Sequence, residues 1–335
     1  MLCTGLAVVL ATASLVVPGP AGAVADPVSP RAAGLAVTGF AYGGLPRSAL
    51  RRDAHALTTV TVDGVALLAD GSGVVAPGAD ALRLGRDARA EGLRTELLVH
   101  NFSDGLGDFD PRRAHLLLSN PEAIDAVSTR LADLAVSGGW GGVNVDLELV
   151  RAGDAAGLVA LCEAVRAALP EGRTVTIDIS ASGSLRGYRE RGYDLAGLAA
   201  VVDRIELMAY DQHGPSWSGP GPVGGLAWQR RAVLTMRRIV PADRIDLGVA
   251  GYGYAWRRGG GGWTVTPAAA RRRSHRAGVR PVWHARAGEW SALLPGGTVL
   301  WWSDARSYRQ RVRLARSLGV HGLALWRLGS ADPLP

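Results

Sequence analysis

Lysine is absent from the 335-residue sequence, so all 37 basic residues are arginine. Together with abundant Ala, Gly, Val and Leu, this composition fits a GC-rich coding bias and needs no functional cause. Cysteine is almost absent: Cys3 and Cys162 are the only two, which excludes a disulfide framework. No apolar run reaches the ~20 residues that cross a bilayer, so a polytopic membrane protein and stable membrane insertion are excluded. Charged residues are few at 20%, against 47% hydrophobic, which argues against a mostly disordered chain. The length suffices for one large core or two small ones and excludes a stapled mini-scaffold.

What is present begins with a targeting signal. Gly5–Val17 is apolar but too short to span, Pro18-Gly19-Pro20 follows it, and Ala23-Val24-Ala25 forms a small-x-small cleavage pattern ahead of Asp26. Residues 1–25 therefore read as a secretory signal peptide, although its usual basic start is missing and the first arginine is Arg31. The domain expected is 26–335, secreted or cell-wall associated and monomeric. Its one cysteine, Cys162, shares an apolar helical stripe with Leu158, Leu161 and Val165 and reads as a buried hydrophobe. The net charge of +7 is concentrated late, from Arg257 and Arg258 through Arg271, Arg272 and Arg273 to Arg286. No nucleic-acid reading motif accompanies it, so nucleic acid is not an expected partner. A solvated face drawn to an anionic cell wall is.

Short β-branched runs alternate with longer helical patterns, as in βαβ units. The strands predicted are Ala36–Tyr42, Leu57–Val62, Arg94–His100, Gly142–Glu148, Thr174–Ser180, Arg204–Tyr210, Ile245–Tyr252 and Gly322–Arg327, eight in all. One helix starts at Asn120-Pro121 and stops at Gly138-Gly139; another is capped by Asp154 and ends at Pro170. Eight such units in a chain of this length predict a (β/α)8 TIM barrel. Residues 257–297, with a glycine run, the arginines, Trp283 and Trp290, break the rhythm and read as a small α+β insertion after strand 7.

The segment Gly139–Leu149 (GWGGVNVDLEL) carries the chemistry. Alternation puts Asn144, Asp146 and Glu148 on one face of a strand and Val143, Val145 and Leu147 on the other. On a surface strand the polar row would simply face water. In a closed barrel it points inward, where such groups are costly unless hydrogen-bonded and used, and Glu148 emerges at the C-terminal end where barrel enzymes work.

This strand resembles the D-G-x-D-x-D-x-E strand of glycoside hydrolase family 18. Met208-Ala209-Tyr210-Asp211 is similar to that family's M-x-Y-D motif, Gly251–Trp256 to its aromatic seventh strand, and Gly322–Gly329 to its closing strand, whose tryptophan floors the sugar site. His213-Gly214-Pro215, Asp304–Ser307 and Trp326–Gly329 resemble the spore-germination, cortex-lytic subgroup. The resemblance spans about residues 35–333 and departs at two places: Gly141 and Asn144 stand where the first two aspartates of the pattern would be. An asparagine there can hydrogen-bond Asp146 but cannot take its charge.

The resemblance implies a hydrolase cleaving β-1,4 linkages of N-acetylglucosamine-containing glycans, peptidoglycan or chitin, by substrate assistance. Glu148 would be the general acid, Asp146 would hold the acetamido N–H, Tyr210 would position the acetamido oxygen, and Asn144 would lie beneath Asp146. Trp326 would stack on the sugar, with Met208, Asp211, Tyr42, Asn101, Tyr252 and Trp256 as further substrate-binding candidates at strand ends. Asp178 is expected to face the same interior, its partner being either substrate or Arg204. An anionic Asp146 two residues away should raise the pKa of Glu148. No metal and no cofactor are expected; Gly219–Gly224 matches a G-x-G-x-x-G string, but its prolines exclude a dinucleotide turn. Two other readings stay open: a glycan-binding relative that does no chemistry, and an exported scaffold for an unrelated ligand.

Overall fold

The computed structural model describes residues 34–335; the expected signal peptide and Cys3 lie outside that range. Eight parallel strands close into a barrel: β1 (Ala36–Tyr42), β2 (Thr59–Ala66), β3 (Arg94–His100), β4 (Gly142–Asp146), β5 (Thr174–Ser180), β6 (Arg204–Met208), β7 (Ile245–Ala250) and, last in the chain, β13 (Gly322–Trp326). Their order is β1-β13-β7-β6-β5-β4-β3-β2. The predicted (β/α)8 architecture is present.

Outward-facing residues such as Val62, Leu97, Val145, Ile177, Leu207, Val249 and Leu325 are buried against apolar helix residues including Leu84, Val127, Leu161, Leu198 and Val233. That contact carries the hydrophobic driving force. The cylinder's interior is different. Registers Glu96↔Gly142, Leu98↔Asn144, His100↔Asp146, Asp178↔Glu206 and Glu206↔Asp246 put a largely polar set inside. An ordinary barrel fills this space with branched apolar side chains.

The helix Pro121–Ser137 starts as predicted, with the Asn120 carboxamide oxygen accepting from the Glu122 N–H at 3.0 Å, and ends at Gly138. The helix Ala155–Ala168 departs from expectation. Asp154 precedes it but makes no cap, because its carboxylate accepts from His115 Nδ1 at 2.8 Å. Cys162 is buried on this helix, and burial pushes its thiol up to about 12.

The insertion is wider than expected. Five antiparallel strands, β8 (Gly253–Trp256), β9 (Gly262–Val265), β10 (Val282–His284), β11 (Glu289–Leu293) and β12 (Val299–Trp302), form a sheet in the order β9-β8-β12-β11-β10, with a helix at Pro267–Arg276. The lobe has its own core of Ala255, Val265, Ala270, Ala292, Leu300 and Trp302. Glu289 and Arg311, both buried, tie it to the barrel at 2.9 Å. The Glu289 carboxylate also accepts from the Val223 and Gly224 N–H groups of the loop after β6, at 2.8 and 2.9 Å.

Candidate active site

β4 brings the polar row to the barrel mouth. Asn144 and Asp146 are buried in the interior, and Glu148, two residues past the last ladder residue, is half-buried. The turn that presents Glu148 is held by Asn101: its Nδ2 donates to the Glu148 carbonyl at 2.9 Å, and its Oδ1 accepts from the Glu148 N–H at 2.9 Å. Directly after Glu148 the chain enters the left-handed region at Leu149 (φ 57°), and directly after Tyr210 it does so again at Asp211 (φ 58°). Among the described residues these are the only two non-glycine positions with positive φ. Backbone strain at non-glycine residues concentrates at functional sites.

Electrostatics follow from burial. Desolvation, reinforced by the negative charges of Asp146, Asp211, Asp178 and Asp108, holds the Glu148 carboxyl well above the usual range, which favours its proton-bearing form. Asp146 is pushed up to about 7, chiefly by burial, with His100 opposing and Asp63 adding to the shift. Burial raises the Tyr210 phenol well above its ordinary value as well, so its hydroxyl stays protonated and can donate.

Glu148, Met208, Tyr210, Asp211, Gln212 and Trp217 help line a cavity of about 430 Å³. Asp211 is also part of the wall of a second cavity of about 210 Å³ lined by Tyr252, Tyr254, Trp326 and Arg327. The Asp211 carboxylate accepts from the Tyr252 and Tyr254 hydroxyls, the latter at 2.8 Å. Trp326 is half-buried and packs on Phe40 and Tyr42, with ring centroids 5.5 and 5.8 Å away. The Arg327 guanidinium lies over the Tyr42 ring at 4.2 Å. The acid and the phenol thus wall one cavity and the indole an adjoining one, with Asp211 common to both.

Three sequence-based expectations need correction. Asn101 is no subsite residue: it is fully buried and its side chain is spent on Glu148 and on the Asp110 carbonyl at 2.9 Å. Trp256 is likewise buried, its indole N–H donating to the Ser218 carbonyl at 3.1 Å. Asn144 turns its amide away from Asp146, toward Thr176 Oγ1 at 3.0 Å and Asp178 Oδ1 at 3.2 Å. Thr176 gives its own proton to Glu96 at 3.0 Å, leaving a lone pair that draws the amide. Arg204 pairs with Glu96 and Asp246, leaving Asp178 to Asn144.

His100 and Trp217 were missed. Strand alternation alone places His100 on the inward face of β3; the structure pairs it with Asp63 at 3.2 Å beside Asp146. Trp217 lies in a loop with no local signal. Among the described residues no group of three or more His, Cys, Asp or Glu side chains is placed to hold a metal ion.

Comparison with known proteins accords with this geometry. The sequence profile of Glycosyl hydrolases family 18 matches residues 107–331. YdhD of Bacillus subtilis (strain 168), named as a sporulation-specific glycosylase, is 29% identical over 66% of this chain and 55% of its own length. The cortical fragment-lytic enzyme of Bacillus anthracis is 21% identical over 71% of this chain and 57% of its own length. The chain thus spans little more than half the length of these two relatives. Among solved structures, a chitinase from Chromobacterium violaceum superimposes with a TM-score of 0.78 at 26% identity, covering 89% of this chain and 95% of that one.

Proposed function

Because this chain belongs to glycosyl hydrolases family 18, and is a glycoside hydrolase, we propose that it cleaves β-1,4 linkages beside N-acetylglucosamine in a secreted setting, with peptidoglycan the favoured glycan and chitin the second. The observation that carries the reading is the shared cavity wall of Glu148 and Tyr210, with Asp146 buried behind it on the same strand.

In this reading Glu148 protonates the departing glycosidic oxygen. The substrate's own acetamido carbonyl oxygen attacks the anomeric carbon as that C–O bond breaks, giving a cyclic oxazolinium. Tyr210 donates to the acetamido oxygen and holds it on line. Asp146 accepts from the acetamido N–H and balances the growing positive charge. Water then opens the ring with Glu148, now a carboxylate, as base, and configuration is retained. Trp326 offers an apolar face to the sugar ring. The similarity to YdhD and to a cortical fragment-lytic enzyme supports a cell-wall glycan, and the arginine-rich lobe supports attraction to an anionic wall.

The test is incubation of the purified protein with chito-oligosaccharides and, separately, with purified peptidoglycan, followed by mass spectrometry. Fragments with new reducing ends at N-acetylglucosamine are expected. Tight glycan binding without cleavage would mark a lectin-like relative, and no binding to either glycan would discard the reading.

A further inference from the structure

The cavity shared by Glu148 and Tyr210 has a stretch of wall that the proposed chemistry does not use, where Ser182, Arg191 and Trp228 stand. Arg191 is the single cation among the residues lining that cavity. It closes the short helix Leu185–Glu190 after β5, and its Nη1 donates to the Gly187 carbonyl at 3.1 Å. A guanidinium carries five N–H donors, and among the described residues this is the one hydrogen bond the side chain makes. The acids nearest in sequence are taken: Glu190 pairs with Arg186 at 2.7 Å, and Asp194 caps the helix Leu195–Val201. Directly after Arg191, Gly192 (φ 78°) runs against the loop that follows Glu148, where a Cβ would stand 2.6 Å from the Arg151 carbonyl oxygen. The arginine is thus anchored beside the loop of the acid, exposed, and without a countercharge.

The acids that share the cavity wall do not supply one. The Asp211 carboxylate accepts from the Tyr252 and Tyr254 hydroxyls, and Glu148 favours its proton-bearing form. The Gln212 carboxamide adds to the imbalance. Its oxygen accepts from the Gly225 N–H at 2.9 Å, which leaves the Nε2 donors unclaimed on the same wall.

We propose that Arg191 is a specificity-determining residue that binds a carboxylate carried on O3 of the leaving-side sugar, and so favours peptidoglycan strands over chitin. This rests on the glycosidase reading above. With the acetamido-bearing ring on Trp326 in the adjoining cavity, Glu148 protonates the oxygen between two rings, and the first cavity takes the ring that departs. That ring is joined through O4, so a substituent on O3 lies next to the bond being cut. Chitin has a hydroxyl there. In peptidoglycan alternate rings carry a lactyl ether on O3, whose carboxyl is either free or extended by a peptide with carboxylates of its own. A guanidinium fork matches a carboxylate with two parallel N–H···O bonds, each about twice as strong as a neutral one. A ring bearing only hydroxyls offers Arg191 no such partner. The order of rings follows: N-acetylglucosamine on the acetamido side, and its carboxylated neighbour leaving.

The test compares glycans of equal length: chitotetraose, the alternating peptidoglycan tetrasaccharide with free lactyl carboxyls, and the same tetrasaccharide with its peptides attached. The quantity read is kcat/KM on each anionic glycan divided by kcat/KM on chitotetraose. Arg191→Gln should lower that ratio by about 10-fold or more, chiefly through KM, and Arg191→Glu should lower it further. A fall with the peptide-free glycan puts the lactyl carboxylate on Arg191; a fall confined to the peptide-bearing glycan puts a peptide carboxylate there. A ratio within about threefold of wild type on both anionic glycans overturns the proposal. A merely structural role would slow all three substrates alike and leave the ratio where it was. The wild-type protein gives a check that needs no variant: raising the ionic strength from about 0.1 M to about 1 M should shrink the ratio, and a ratio indifferent to salt overturns the proposal. The same ratio is read as Kd by calorimetry in Glu148→Gln, where the acid is gone. Failure of the wild-type protein to cleave any glycan therefore counts against the glycosidase reading, while the Kd ratio still decides the role of Arg191. Binding of none of the three overturns both.

Discussion

Removing Asn101 tests the geometry of the acid without touching the acid. Asn101→Ala deletes three hydrogen bonds of 2.9 Å each: to the Asp110 carbonyl, to the Glu148 carbonyl, and from the Glu148 N–H. At about 1 kcal/mol net per bond the loss is about 3 kcal/mol. Unfolding entropy of about 2 cal/mol/K per residue makes that a Tm drop of about 5 °C for a chain of this size. Domains typically hold about 5–15 kcal/mol, so the variant should remain almost wholly folded at 20 °C. Any rate loss at that temperature therefore reports misplacement of Glu148. A carboxyl shifted by about 1 Å from its line to the glycosidic oxygen costs on the order of 10²-fold in rate. Calorimetry and initial rates on one oligosaccharide substrate measure both quantities, with the loss expected in kcat rather than KM. A lowered Tm with unchanged kcat would show that the clamp stabilises the loop but does not aim the acid.

Glu148→Gln should keep the fold and lose nearly all hydrolysis, and the wild-type rate should fall as pH rises through the elevated pKa of this acid; activity within a few-fold of wild type would remove Glu148 from the role. The elevated pKa of Asp146 has a stability consequence. A carboxyl near 4 when unfolded and about 7 when folded contributes stability that is complete below about pH 4 and is lost as pH rises through about 7. Asp146→Asn should therefore flatten the fall in Tm between those values; an unchanged slope would place the titration elsewhere. Arg311→Met breaks the buried pair with Glu289 and leaves that carboxylate without its arginine countercharge, costing about 3–5 kcal/mol, or roughly 5–8 °C in Tm. A shift below about 2 °C in a melting scan would contradict the burial of that pair.

The sequence made the barrel legible because the period-2 pattern of its strands and the caps of its helices are local signals. Strands β1, β3 and β5 end where that pattern ends. Strands β4, β6 and β7 stop two residues sooner than the pattern suggests, at Asp146, Met208 and Ala250. Polar–apolar alternation continues through Glu148, Tyr210 and Tyr252, but the ladder partners there have already diverged to form the mouth. β2 runs later than read, over Thr59–Ala66, because an irregularity between Asp63 and Val65 interrupts the alternation. Asn101 and Trp256 were misread for a different reason. Their partners, Glu148 and Ser218, lie 47 and 38 residues away, and no local pattern encodes such pairings.

The polar interior bears on whether the protein does chemistry at all. Glu96 is fully compensated, accepting from Thr61, Thr174 and Thr176 at 2.8–3.1 Å with Arg204 nearby. Asp246 accepts from His321 at 2.7 Å. These lower carboxylates are structural, and a binding protein would tolerate them. Compensation is incomplete elsewhere: one Asp246 oxygen and both Glu206 oxygens are buried with no donor, and at the mouth Asp146 keeps a buried oxygen with none while Glu148 feels four other acids, Asp146, Asp211, Asp178 and Asp108. Each such group destabilises the fold, by about 1–3 kcal/mol for an unsatisfied buried polar atom and more for a charge. A pocket that only bound neutral sugars would gain nothing from acids kept short of partners. A pocket that must deliver a proton and then hold a negative charge beside a cation needs both, which favours the hydrolase over the lectin.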